Sequence, residues 1–207
     1  MARPDRSRRT PGGASWQRRS AQLTFGLVLF GISMALMIAA GLGASAWDVL
    51  HQGLSRSTGI SLGLVVAGVG ALVLLAWIPL KVRPGVGTVL NIVVVGLVAD
   101  GVLRMLPASV DSTALRIALL VSGILLNALA TGLYVGAGLG PGPRDGLMTG
   151  LARHGISIRV ARTGIELTVL VAGWLLGGTV GVGTVLFAAT IGPLTQPALR
   201  RFTLTRR

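Results

Sequence analysis

Five charged residues lie inside or beside apolar sequence, where an ionisable group is costly and therefore functionally informative: Asp48, Arg144, Asp145, Arg162 and Glu166. Glu166 is the sole glutamate of the chain, and its four-residue spacing from Arg162 puts both on one helix face. The pair reads either as charge-handling machinery or as a structural ion pair whose arginine reaches toward the headgroups. Arg159 precedes them at the start of the same apolar run. Asp48 and Asp145 each follow a glycine-rich break. Either could bind a proton or cation, or accept backbone N–H bonds at the start of a short helix, and the two roles are compatible.

Other chemistries find little support. Gly59-Ile60-Ser61-Leu62-Gly63 matches G-x-S-x-G, but the strand-turn-helix setting that strains such a serine is missing from the sequence, and only His51 and His154 could serve as bases. Neither histidine has a ligand-spaced partner, and with no cysteine there is no thiolate site, so no metal is expected. The glycines at 138, 140 and 142 follow no strand and precede no Gly-Lys-Ser/Thr, which excludes a phosphate loop. The expectation is a non-enzyme without cofactor.

The elements that position these residues are membrane spans. The chain has 207 residues, 52% hydrophobic and 12% charged, with a mean hydropathy of +0.76. Crossing about 30 Å of hydrocarbon takes about 20 apolar residues per helix. Six runs qualify: 23–43, 61–80, 86–103, 114–136, 161–177 and 182–199. Residues 1–22 read as a disordered basic tail and 200–207 as a second basic tail, flanking a transmembrane domain at 23–199. The first run ends near Ala44-Ser45-Ala46, as a signal peptide would, but it is longer than a cleaved h-region and reads as a span. The net charge of +13 comes from tails and short loops, so it reads as a topology signal and not as a nucleic-acid surface. Of 19 Lys and Arg, all but Arg56, Arg104 and Arg116 fall on one side if six spans are drawn, which places both termini in the cytoplasm. Arginine in place of lysine, with abundant Gly, Ala and Val, points to a high-GC bacterial genome, and the membrane expected is the bacterial plasma membrane. Trp47 and Trp77 read as interface anchors. Small residues at 35/39/43, 63/67/71 and 173/177/181 read as packing faces, and Asn91 and Asn127 as hydrogen-bonding helix joints.

The chain also repeats itself. At an offset of 97, Gly41, Leu42, Gly43, Asp48, Gly53 and Leu54 meet Gly138, Leu139, Gly140, Asp145, Gly150 and Leu151. At 96, residues 85–90 meet 181–186 with every letter identical. Three spans per half, at about 23–103 and 114–199, send the second copy in from the opposite side. The fold expected is therefore an all-α bundle of six transmembrane helices in two inverted three-helix repeats, with residues 41–60 and 138–157 as equivalent loops on opposite faces. Gly41, Gly43, Gly138, Gly140, Pro141, Gly142 and Pro143 cannot continue a regular helix, so they mark backbone breaks, either a re-entrant loop or an ordinary one.

WDVLHQGLSRSTGISLG (47–63), PGVGTVLN (84–91), GLGPGPRDGLMTGL (138–151) and RTGIELTVLVAGWLLGGTVGVGTVLF (162–187) together resemble the YitT/YczE-like family of bacterial integral membrane proteins. The likeness spans residues 41–197 and is closest to the shorter YczE-like branch, since YitT-like members usually continue into a soluble C-terminal domain. It implies location and architecture and no particular activity. Inverted symmetry with broken polar helices points to passage of a small solute through the repeat interface, with Asp48, Asp145, Arg144, Arg162 and Glu166 handling charge. The alternative is a non-transporting scaffold or accessory protein. The bilayer is the one partner implied; the solute is unidentified and homo-oligomerisation stays open.

Overall fold

A glycine with left-handed backbone ends the first helix, another turns the chain just after the fifth, and together they set the plan of the molecule. In this computed structural model residues 15–107 and 109–204 are described, and they form eight α-helices. In order these are α1 (Trp16–Ala40), α2 (Ala46–Thr58), α3 (Leu62–Trp77), α4 (Val86–Met105), α5 (Thr113–Gly136), α6 (Pro143–Arg153), α7 (Ile158–Leu175) and α8 (Val182–Phe202). A long helix, a short one, a middle one and a long one thus occur twice.

The local chemistry of the two series matches. α1 stops at Gly41 (φ 61°), and the chain turns again at Gly43 (φ 100°); after α5 the equivalent glycines, Gly138 and Gly140, have φ of 64° and 130°. Such angles cost a glycine nothing sterically. Ser45 starts α2, its Oγ accepting from the Asp48 N–H at 3.2 Å. Gly142 occupies the same place before α6 and supplies no side-chain cap, and Pro143 takes the first helical position, where its missing N–H is harmless. Ser61 and Ser157 cap α3 and α7, so the serine of the G-x-S-x-G match is a helix cap.

α1 and α5 form the central pair. Gly26 of α1 faces the α5 backbone, and Gly123 of α5, 97 residues on, faces Ser33 and Met37 of α1. A methyl at Gly26 would lie 2.8 Å from the Tyr134 nitrogen. Lipid is as apolar as leucine, so association here rests on close packing, which these two glycines permit. Leu27, Phe30, Met34, Ala130 and Tyr134 fill one end of the contact, and Met37, Ala40, Leu120 and Ile124 the other. Asn127 adds a buried hydrogen bond from its Nδ2 to Ser33 Oγ, 2.9 Å. α4 packs beside α1, α8 beside α5, α2 along α7, and α6 along α3.

Reciprocal bonds lock the two series together. Arg19 donates from Nε and Nη2 to the carbonyls of Ala137 and Gly138, at 2.8 and 2.5 Å. Arg116, 97 residues later, donates to Ala40 and Gly41, at 2.7 and 2.8 Å. Gly87 N–H donates to Leu139 O, and Gly183 N–H to Leu42 O, at 2.9 and 2.8 Å. Each series therefore satisfies carbonyls that the other's helix end leaves open.

Several expectations need adjustment. α1 starts at Trp16, within the stretch expected to be tail, and α8 runs to Phe202; residues 1–14 and 205–207 lie outside the described residues. Segments 41–60 and 138–157 are largely helical and not surface loops: α2 buries Trp47, Asp48, Val49 and His51 in the bundle. Trp47 and Trp77 are buried, not interfacial. Trp77 is 1% exposed, stacks over Gly146 and donates from Nε1 to Pro143 O at 2.9 Å. Four helices, α1, α4, α5 and α8, are long and apolar enough to cross a membrane by themselves. α3 has only 16 residues, about 24 Å of rise. It meets α2 at a 117° bend, and the pair together makes a fifth, broken candidate. α7 carries Arg159, Arg162 and Glu166 along its first turns, which removes it from a count based on apolarity.

Candidate functional site

Where α3 and α4 meet, Gly63 and Gly96 bring the backbones together: a methyl on Gly96 would lie 2.5 Å from Gly63 O. Asp100 Oδ1 accepts from Gly63 N–H at 2.7 Å and pins the start of α3 to α4. The corresponding helices α7 and α8 have no comparable packing, and Gly192, the counterpart of Gly96, has open space around it. Arg159 stands where Gly63 does, Arg162 where Val66 does and Glu166 where Gly70 does. The first seam is lined by glycine and valine, the second by an arginine-glutamate pair.

The open seam holds a cavity of about 490 Å³ walled by α5, α6, α7, α8 and the start of α2. Four of the five charged residues singled out in the sequence line it: Arg144, Asp145, Arg162 and Glu166. Arg162 Nε donates to Glu166 Oε1 at 3.0 Å, with the side chains 55% and 38% exposed, so this pair adds little to stability and much to the polarity of the wall. Asp145 Oδ2 accepts from the Tyr134 hydroxyl at 2.9 Å. The Arg144 guanidinium carbon sits 5.2 Å from the centre of the Phe30 ring, a cation–π distance, and among the described residues no carboxylate lies within 4.0 Å of it.

Asp48 lies elsewhere, in a second cavity of about 60 Å³ under the closed seam, with Trp47, His51, Asn91 and, again, Arg144 in its wall. Trp47 and Arg144 are common to both cavities. The two are counterparts: Trp47, Asp48 and His51 line the small one, and Arg144, Asp145 and Met148, each 97 residues on, line the large one. Phe30 and Met34 correspond in the same way to Asn127 and Thr131, and Asn91, Ile92 and Val95 to Phe187, Ala188 and Ile191 at an offset of 96.

The glycine and proline breaks position these groups. Gly138, Gly140 and Pro141 turn the chain so that α6 starts inside the bundle with Arg144 and Asp145 in its first turn, and Gly41 and Gly43 do the same for Trp47 and Asp48. Neither aspartate caps its helix: Ser45 does that for α2, and Asp145 turns to Tyr134 instead. Tyr134, the chain's one tyrosine, was missed in the sequence; its isolation beside the glycine break was the available signal. Asp100 was also missed, because an acid near the end of a span reads as solvated.

These features define the class as a multi-pass helical membrane protein with charged cavities inside the bundle. The chain belongs to the family described as Family of unknown function (DUF6198), whose model matches residues 17–198. A Haemophilus influenzae protein named "Uncharacterized protein" is 42% identical over 175 residues, 84% of this chain and 80% of the relative. The "Uncharacterized membrane protein YczE" of Bacillus subtilis is 36% identical over 176 residues, with the same shares of 84% and 80%. The YczE-like resemblance of the sequence motifs is thus family membership. No solved structure matches the chain.

Proposed function

We propose that the protein carries a small polar solute across a bacterial plasma membrane through the interface between two inverted repeats, six spans in all, with both termini cytoplasmic. The observation that carries this reading is the pair of corresponding cavities of unequal size, about 490 Å³ and about 60 Å³. Two copies of one fold in unequal states, inserted in opposite senses, are what alternating access requires: exchanging the states moves the opening from one face to the other. α3 and α7 complete the six spans, α3 as a short span joined to the bent α2 and α7 as a span whose charges face the cavity. The wall carries both signs of charge, so the solute is polar or zwitterionic.

The test is flux. The full chain, reconstituted in liposomes, is screened with labelled amino acids, small carboxylates, amines and inorganic ions. Asp145→Asn and Glu166→Gln are each expected to cut the flux of the responding solute at least about tenfold, equivalent to 1.4 kcal/mol of lost interaction. Background flux for every class, with a partner protein captured by the intact chain and lost on substitution in its exposed segments, would replace transport by the scaffold reading.

A further inference from the structure

The small chamber is lined by Asp48 and His51, which the large one lacks, and shares Trp47 with it. Trp47 Nε1 and His51 Nδ1 are both buried with no hydrogen-bond partner among the described residues, although each lines or borders this space. An unpaired buried polar atom costs about 1–3 kcal/mol, so two in one place call for an explanation. Asp48 is beside them, its side chain 4% exposed, with Oδ1 facing His51 Nδ1 at 4.0 Å. That separation is too long for a hydrogen bond. Asp48 Oδ1 accepts when ionised, so the two atoms can pair only when a hydrogen sits on His51 Nδ1 or on the Asp48 carboxyl.

We infer that Asp48 and His51 form a proton site in the first repeat, and that this proton is the coupling ion of the transport cycle. The second clause rests on the function proposed above; the first does not. The chemistry is a single proton transfer from hydronium. One O–H bond of a hydronium donor breaks as one O–H bond forms at Asp48 Oδ1 or one N–H bond at His51 Nδ1, water leaves, the two atoms close to hydrogen-bond distance, and the chamber gains one positive charge.

The surroundings isolate the pair. α1, α3 and α4 contribute Phe30, Met34, Val66, Val95 and Asn91 to the wall, none of which titrates. Among the described residues the one other charge lining the chamber is Arg144 of α6, which also lines the large cavity, where Asp145 is the counterpart of Asp48. While Asp48 is ionised it attracts Arg144 toward the closed seam. Once the proton is bound that attraction is lost, and Arg144 is free to serve Asp145 and a solute. The proton on one repeat thereby sets the charge available in the other. The counterpart of His51 is Met148, so the second repeat cannot build the same pair.

Trp47 reports on this site directly, because its ring centre is 6.4 Å from that of His51, and a protonated imidazole quenches indole emission. The emission of the purified full chain in detergent, minus that of Trp47→Phe, isolates the Trp47 signal. The expected result is a one-proton titration of the Trp47 emission that is changed in both His51→Gln and Asp48→Asn. A flat signal in the unaltered chain, or a titration unchanged in His51→Gln, overturns the proton site. The unaltered chain carries this test even if a variant fails to fold. If Trp47 titrates but the solute found in liposomes moves equally fast with and without an imposed pH gradient, the coupling role is overturned and transport stands. If no solute moves, transport has failed, and the titration still decides the proton site.

Discussion

Replacing Arg19 or Arg116 by methionine removes one half of a reciprocal lock, and the two losses should be equal. Each guanidinium donates two bonds to the last carbonyls of a helix in the other series, at 2.5–2.8 Å. Bonds to a charged donor contribute about 1.5–3 kcal/mol each when sheltered. Both arginines are half-exposed, which lowers this toward about 1 kcal/mol per bond, so each substitution should cost about 2 kcal/mol. Methionine keeps most of the stem's packing, so the loss reports the bonds. The assay is unfolding by SDS titration in mixed micelles, followed by circular dichroism, for Arg19→Met, Arg116→Met and the double variant. Equal single losses and an additive double loss follow from two equivalent, separate locks. A loss of about 2 kcal/mol for one and nothing for the other would refute the reasoning, since it would make one arginine a topology charge only.

Other outcomes follow from the packing. Gly146→Ala drives a methyl into the Trp77 ring and should cost about 1–3 kcal/mol, a loss relieved by Trp77→Leu in the same chain; unfolding in mixed micelles reads both. Tyr134→Phe removes the one hydroxyl bonded to Asp145 and should lower stability by about 1 kcal/mol while leaving the helix content unchanged by circular dichroism. Because the chain lacks cysteine, paired thiols can report the seams. Arg159→Cys with Gly192→Cys should crosslink only when the second seam closes, and the crosslink should stop solute flux until it is reduced.

How much was legible depends on range. The breaks were readable because glycine and proline act on their own backbone: Gly41, Gly43, Gly138 and Gly140 all have positive φ, and Pro143 starts α6. Arg162 and Glu166 were placed together by helical spacing alone. Contacts across the chain were not readable. Trp77 at the end of an apolar run has the signature of an interface anchor, and only its partner 66 residues away, Pro143, reveals a buried wedge. Arg19 and Arg116 were counted as topology charges for the same reason: the carbonyls they hold are 118 and 76 residues distant for Nε. His51 has no ligand-spaced neighbour, so its relation to Asp48 emerged only once α2 was seen to enter the bundle. The offset of 97 gave the correspondence of residues, but equal sequences do not reveal unequal states. That difference lies in the α3–α4 and α7–α8 seams, where Gly63, Val66 and Gly70 face Arg159, Arg162 and Glu166 as their counterparts.

The account stands on the two repeats entering the membrane from opposite sides. Ser57 and His154 are counterparts at an offset of 97, both exposed, one near the end of α2 and the other just past α6. The direct measurement is to place Ser57→Cys and His154→Cys separately in the full chain and treat intact cells with a membrane-impermeant maleimide. Labelling at 57 in intact cells, with 154 labelled only after permeabilisation, is the result predicted. Equal labelling of both in intact cells would place the counterparts on one face and contradict the inverted arrangement and the transport cycle built on it.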